Sequence, residues 1–324
     1  MGLTNRLGAL LDAAPPCAHL PIFRLLRLTC RILPRSVGSP RLTQLASHLS
    51  IPDGMAVRTK CGITLVETSK DILELLLFGE QETENTNFFT SVVPLVDLVI
   101  DVGAHLGYYA LIASRLLHNK GQVLALEPVP STFQGLLKNI LANDLTNISA
   151  RNVAVFSQTT ELRLDVPVHA PFPGGTMAAG FYKGGMTNIT VPAVALDDLL
   201  TEEIGTKKTM ILIDIEGAEH YALQGMSRTL ASVRPLLLLE LHPAILASMA
   251  IDCRDTMEIL RQIDYRCLML GKGGKKLLEF DLANFKNAGS IPRWIVGMPG
   301  EDRGWAGILA HAGIEFPAKS CPDV

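Results

Sequence analysis

From residue 95 onward the chain repeats one unit: a short apolar run, a turn, then an amphipathic stretch. No other feature constrains the fold as much. The apolar runs are "LVDLVID" (95–101), "QVLALEP" (122–128), "ISARNVAVF" (148–156), "NITVPAV" (188–194), "TMILIDI" (209–215), "RPLLLLELHP" (234–243), "YRCLML" (265–270) and "PRWIVGM" (292–298). Helical stretches are expected at 107–118, 131–143, after Asp197, at 217–230 and at 255–263. The leucine run at 236–239 fits a strand covered on both faces, as in a parallel sheet flanked by helices. Strands alternating with helices in this way predict an α/β, Rossmann-like, doubly wound and mostly parallel sheet. The expected limits are 95–300 for this domain and 301–324 for a C-terminal tail.

The segment before residue 95 reads differently. "GMAVRTKCGITLVET" (54–68) predicts a hairpin turning at Lys60-Cys61-Gly62, followed by helices over 71–78 and 84–93, so 51–94 is a hairpin and helical lead-in. Residues 1–50 form a basic helical extension: Arg6, Arg24, Arg27, Arg31, Arg35 and Arg41 face a single acid, Asp12. Arginines at helical spacing exclude a bilayer-spanning helix there, and Asp12 with Pro15-Pro16 interrupts a signal-peptide core. The segment is expected to be a cap helix on the body, with peripheral membrane contact through residues 18–35 as the other use of a basic amphipathic face. The net charge of −3 lacks the basic footprint of a nucleic-acid binder. Six scattered cysteines with no C-x-x-C pair suggest neither a zinc site nor a disulfide framework, which fits a cytoplasmic location.

In a doubly wound sheet ligands bind at the carboxyl ends of the strands, so those ends are where function should be legible. The first ends in Asp101-Val102-Gly103-Ala104-His105-Leu106-Gly107-Tyr108. A dinucleotide turn needs G-x-G-x-x-G to seat a pyrophosphate, and here His105 and Tyr108 stand where two of the glycines belong. Asp101 before the turn repels phosphate and attracts an ammonium group. The next strand ends in Glu127-Pro128, where a carboxylate can accept the two hydroxyls of a ribose. An acid for an amino group, glycines for close approach and an acid for ribose together describe S-adenosylmethionine.

In this order, "VIDVGAHLGYYALIA", "VLALEPVPSTFQGLLKNI", "NVAVFS", "VPAVALDDLL", "ILIDIEGAEHYALQGM" and "RPLLLLELHP" resemble the FkbM-type methyltransferases, over roughly residues 78–243. The resemblance implies a class I methyltransferase fold with a seven-stranded sheet, S-adenosylmethionine as cofactor and O-methylation of a small-molecule, sugar or glycan hydroxyl. It implies a cofactor pocket of Asp101, Gly103, Ala104, His105, Gly107, Tyr108, Glu127 and Pro128, with Asn152 and Ala154 by the adenine and Glu82 nearby. The family usually carries Asn where this chain has His105.

Methyl transfer to oxygen calls for a group that takes the hydroxyl proton. Asp214, Glu216, Glu219 and His220 surround one strand-to-helix turn, and Glu240 and His242 lie on one side of the next strand by its period of two. His242 is the expected base, oriented by Glu240 or Asp214, with Glu216 facing the cleft. The helix dipole is a sufficient account of Glu219, though its match to the D-x-E-G-A-E element of the family keeps it among the candidates. Asp214, Glu216 and Glu240 offer oxygen ligands, but nothing in the sequence fixes their geometry and no metal is expected. The Gly-rich stretch 169–188 is expected to be a lid over the acceptor. The contrasting expectation is a catalytically silent methyltransferase fold used as a binding module at a membrane surface, suggested by the arginine helix.

Overall fold

The structure, a computed structural model, describes residue 22, residues 56–67, residue 75, and residues 81–168, 174–182, 184–200, 207–280, 293–301 and 304–317; side chains are described for all of these except 119 and 293. Apart from Ile22, the basic extension with its 18–35 face lies outside the described residues, as do the expected helix at 71–78 except Leu75 and residues 169–173 and 183 of the Gly-rich stretch.

The lead-in is a small hairpin, β1 (Val57–Arg58) and β2 (Thr64–Leu65), followed by helix α1 (Thr83–Val92). The repeating units give β3 (Leu98–Val102), α2 (Tyr108–Leu117), β4 (Gln122–Leu126), α3 (Pro130–Leu141) and β5 (Ile148–Arg151). Three strands then form a separate sheet, β6 (Ala154–Val155), β7 (Thr160–Pro167) and β8 (Met186–Val194), in the order β6-β8-β7. The chain returns through α4 (Leu196–Leu199) to β9 (Thr209–Ile213), α5 (Glu219–Gln224), α6 (Ser227–Ser232) and β10 (Leu236–Leu241). It finishes with α7 (Pro243–Ser248), α8 (Cys253–Gln262), β11 (Tyr265–Leu270), β12 (Leu277–Glu279), β13 (Arg293–Pro299) and α9 (Trp305–His311).

Among the described residues the main sheet has the order β12-β11-β13-β10-β9-β3-β4-β5. Pairing is parallel from β10 to β5 and antiparallel where β13 joins β10 and β11. This is the expected seven-stranded, doubly wound Rossmann-like sheet with one short strand, β12, added antiparallel at its edge. The leucines of β10 are fully buried, as a strand with both faces covered requires. Two expectations are corrected. The run 148–156 divides: β5 stays in the main sheet, while Ala154 and Val155 pair with Ala193 and Val194. The run 188–194 therefore belongs to the second sheet. The helix expected at 217–230 breaks at Gly225, where the backbone passes so close to Phe156 that a Cβ would sit 1.8 Å from the Phe156 carbonyl oxygen, so only glycine fits. No described helix is long and apolar enough to cross a membrane.

The hairpin is stitched to α3 by one buried side chain. Asn139 accepts the amides of Val66 and Glu67 at 2.8 and 2.9 Å, and donates to the carbonyls of Glu67 and Leu106 at 3.1 and 2.9 Å. Its link to Leu106 ties the lead-in to the turn after β3. Asn139→Ala leaves four main-chain groups without that partner, and should cost about 3 kcal/mol in urea unfolding. A loss under about 1 kcal/mol would mean that water replaces the asparagine.

Candidate active site

The carboxyl ends of β3, β4 and β9 open on a cleft of about 730 Å3. Its walls carry Glu82, Asp101, Glu127, Asp214 and Glu216 and, among the described residues, no Lys or Arg. Such an assembly of acids in low dielectric favours a cationic ligand.

The turn after β3 forms the cleft floor through Gly103, Ala104, His105, Leu106 and Tyr108. Gly103 has φ +89°, and a Cβ there would lie 2.0 Å from the Asp214 carbonyl oxygen. Gly107 has φ +91°, and its Cβ would meet Leu136 at 2.5 Å; Gly107 is not on the cleft wall. The glycines thus let β9 and α3 close against the turn, and of the two only Gly103 also borders the cleft, although both are expected from the sequence to serve ligand approach. His105 has φ +48°, a left-handed conformation in which Asn and His are enriched among non-glycine residues. That shared tolerance accounts for His here where the family usually carries Asn.

Asp101 is 2% exposed, and its Oδ2 is buried with no hydrogen-bond partner among the described residues. Burial, then the charge of Asp214, push its carboxyl up to about 8. Glu127 is also buried. Its Oε2 accepts the His105 amide at 2.9 Å and its Oε1 the Val129 amide at 2.8 Å, so it steadies both the β3 turn and the start of α3. Burial raises it to about 7 against the pull of those two amides. Each oxygen keeps acceptor capacity beyond its one amide. Asn152 is off the wall: its amide donates to the carbonyls of Glu127 and Pro128 at 2.8 and 2.9 Å and clamps that turn. Val153, Ala154 and Val155 line the cleft beside it. Glu82, at φ +44°, is held toward the cleft by Tyr109, whose hydroxyl donates to Oε2 at 2.8 Å, and by Asn85.

Raised carboxyl pKa values make the fold more stable when protonated. The contribution is fully present below the unfolded value near 4 and is lost as pH rises through 7 and 8. Melting of the protein without added ligand should therefore fall by on the order of 5 °C between pH 5 and pH 8. A melting temperature that rises over that interval would contradict the burial of these charges.

On the opposite side lies a second cluster. Asp214, Glu240 and His242 each bring one ligand-type atom to within 4.8 Å of the others, a spacing that a proton or a small cation could bridge. Asp214 is on the cleft wall, whereas Glu240 and His242 stand behind it. Asp214 and Glu240 are both held well above the usual carboxylate range, by burial first: Glu82 and Glu216 raise Asp214 further while its hydrogen bond with Glu240 lowers it, and Asp214, Glu82 and Glu216 all raise Glu240. Nδ1 of His242 lies 2.5 Å from Oε1 of Glu219, and its Nε2 lies 3.8 Å from Oε2 of Glu240. The group that orients the imidazole is thus Glu219, where the sequence reading expected Glu240 or Asp214. Burial alone would lower His242, but the hydrogen bond and charge of Glu219, with Asp214 and Glu216, give a net rise. The E-G-A-E spacing was visible in the sequence; the contact across to β10 was not.

Residues 174–182 of the Gly-rich stretch fold over this side. Thr176 Oγ1 donates to the Glu216 carbonyl at 2.7 Å, and the Tyr182 hydroxyl donates to the Glu216 carboxylate. Gly175, Met177 and Tyr182 join the wall, together with Leu162 and Leu164 of β7. Sequence reasoning did not anticipate the β7 residues, since their place depends on the second sheet.

Residues 101–267 match the Methyltransferase FkbM domain. The chain is 24% identical over 228 residues to the hexuronic acid methyltransferase AglP of Haloferax volcanii, spanning 70% of this chain and 82% of that protein. Among solved structures, the methyltransferase FkbM of Methylobacillus flagellatus is similar at 15% identity and a TM-score of 0.39. The match covers 86% of this chain and 59% of that one. An O-methyltransferase of Bacillus cereus in complex with SAH is similar at 14% identity and a TM-score of 0.37, covering 65% of this chain and 79% of that one.

Proposed function

Because the chain belongs to the FkbM methyltransferase family, we propose that it moves the methyl group of S-adenosylmethionine onto a hydroxyl oxygen of a sugar or other small molecule. The observation that carries this reading is the acid-lined cleft in which one Asp101 oxygen is buried and unpartnered. The residues present fit the donor. Asp101 would hold the ammonium group, Glu127 the ribose hydroxyls through its free lone pairs, and Pro128, Val153 and Ala154 the adenine, while the acids without Lys or Arg suit the sulfonium. The bound donor supplies an electrophilic methyl group.

This chain's own residues supply position and a place for the proton. The acceptor hydroxyl gives up its proton as its oxygen gains the methyl group. Asp214 faces the cleft beside Glu240 and His242, and we assign that proton to this cluster, with Nε2 of His242 as its base. Glu216 and Tyr182, hydrogen-bonded to each other, bring residues 174–182 over the acceptor and exclude water. A sugar acceptor is supported by the likeness to a protein named as a hexuronic acid methyltransferase.

The deciding experiment is a calorimetric titration of the full chain with S-adenosylmethionine, followed by a screen of sugar glycosides with the methyl-labelled donor. Saturable binding and a labelled, alkali-stable ether are expected. Absence of donor binding would sink the reading, and label found on nitrogen or in an ester would remove the hydroxyl acceptor.

A further inference from the structure

We propose that Glu219 is a positioning residue for the base: it fixes the ring of His242 and the nitrogen that carries its proton, so that the Nε2 lone pair faces Asp214 and Glu240. The inference rests on the base assigned above.

Glu219 begins a helix of only six residues, and a helix-end carboxylate ordinarily sits in water. This one is fully buried. Its Oε1 accepts the Gly217 amide at 3.0 Å and stands 2.5 Å from Nδ1 of His242, twenty-three residues away just past the end of β10. Its Oε2 is buried without a hydrogen-bond partner among the described residues. Burying a carboxylate with an unused oxygen is costly, and a cap alone does not require it. The bond to the imidazole does. An ionised Glu219 accepts only, so Nδ1 must donate, and in the neutral ring the lone pair is then on Nε2. His242 is 6% exposed, which leaves its ring no room to rotate freely. The Gly217 amide in turn locks Glu219. Gly217 itself, at φ +100°, has no room for a side chain, because a Cβ would lie 2.3 Å from Ile245. The E-G-A-E element therefore builds one rigid support under the base: Glu216 toward the cleft, Gly217 as the tight turn and Glu219 behind the imidazole.

The charged groups facing His242 are Glu219 from α5, Asp214 and Glu216 from the end of β9 and its turn, and Glu240 from its own strand. Exchanging Glu219 alone leaves the other three in place, so its share can be read separately.

The test uses the full chain labelled with 15N-histidine, with His242 assigned by its disappearance in His242→Asn. In the wild type, two-bond 1H–15N spectra should show neutral His242 with its proton on Nδ1. Glu219→Gln should lower its titration midpoint by about one pH unit or more. Glu219→Asp, which keeps the charge, should return it toward the wild-type value. With the glycoside returned by the screen, Glu219→Gln should lower kcat about 10²-fold and move the acidic limb of the rate profile to lower pH. Its Kd for S-adenosylmethionine should stay within about twofold, since Glu219 is off the cleft wall.

Unchanged tautomer and midpoint in folded Glu219→Asp and Glu219→Gln would overturn the proposal. So would a wild type in which Mg2+ shifts the His242 resonances, chelation stops turnover, and Glu219→Gln leaves the pH profile unmoved. The three side chains would then be a cation site. Failure of the wild type to bind S-adenosylmethionine would instead remove the proposed function, and the NMR result on Glu219 would stand by itself.

Discussion

Asp101→Asn should make the protein more stable and, in the same molecule, weaken S-adenosylmethionine binding at least about 10²-fold. The two effects have one cause. Asp101 is buried with one oxygen unpartnered, and its carboxyl is pushed up to about 8. In the unfolded chain it ionises near 4, so the fold carries a penalty that grows as pH rises from that value toward 8. Asparagine keeps the shape and the contact with the Ala110 amide but has no charge to bury. The gain in melting temperature should thus be larger at pH 8 than at pH 5. The donor's ammonium group, in contrast, loses its only designated counter-charge. Calorimetry and thermal melts on the same preparation check both signs. A variant that binds the donor as tightly as the wild type would remove Asp101 from the site, whatever its stability.

The second large effect is on turnover. His242→Asn should lower kcat by about 10²- to 10⁴-fold, the usual contribution of a positioned base. The asparagine amide can still donate to Glu219, so the buried carboxylate keeps a partner and the fold is spared the cost of an orphaned charge. What is lost is Nε2. Donor affinity should be unaffected, because His242 stands behind the cleft wall. Single-turnover assays with labelled donor separate the steps. Retained turnover would transfer the base to Asp214, which does face the cleft and whose carboxyl is already raised by burial and by Glu82.

Much of this architecture is legible in the sequence. The alternating runs placed the strands of the main sheet, and the failed G-x-G-x-x-G with Asp101 and Glu127 pointed to a cationic, ribose-bearing ligand. Those signals are local: strand period, glycine at positive φ and acids at strand ends depend on a few neighbouring residues. The misassigned run 188–194 shows where local signals stop. Its alternation is a good strand pattern, and nothing in it says that Ala193 and Val194 pair with Ala154 and Val155 rather than in the main sheet.

The same limit applied to the individual site residues. Asn152 looked like a ligand contact, and instead donates to the Glu127 and Pro128 carbonyls. Gly103 lines the cleft as expected, and it also makes room for the Asp214 carbonyl, which its place in the sequence does not show. Each of these roles depends on which strand lies next to which, a property of the sheet order alone.

By itself the sequence determined a doubly wound sheet, an acidic glycine turn after its first strand and two clusters of acids with a histidine, because each is written in consecutive residues. Tertiary structure alone decided that Glu219 holds His242. That bond joins the turn after β9 to the end of β10, two elements that meet only because those strands lie side by side in parallel register.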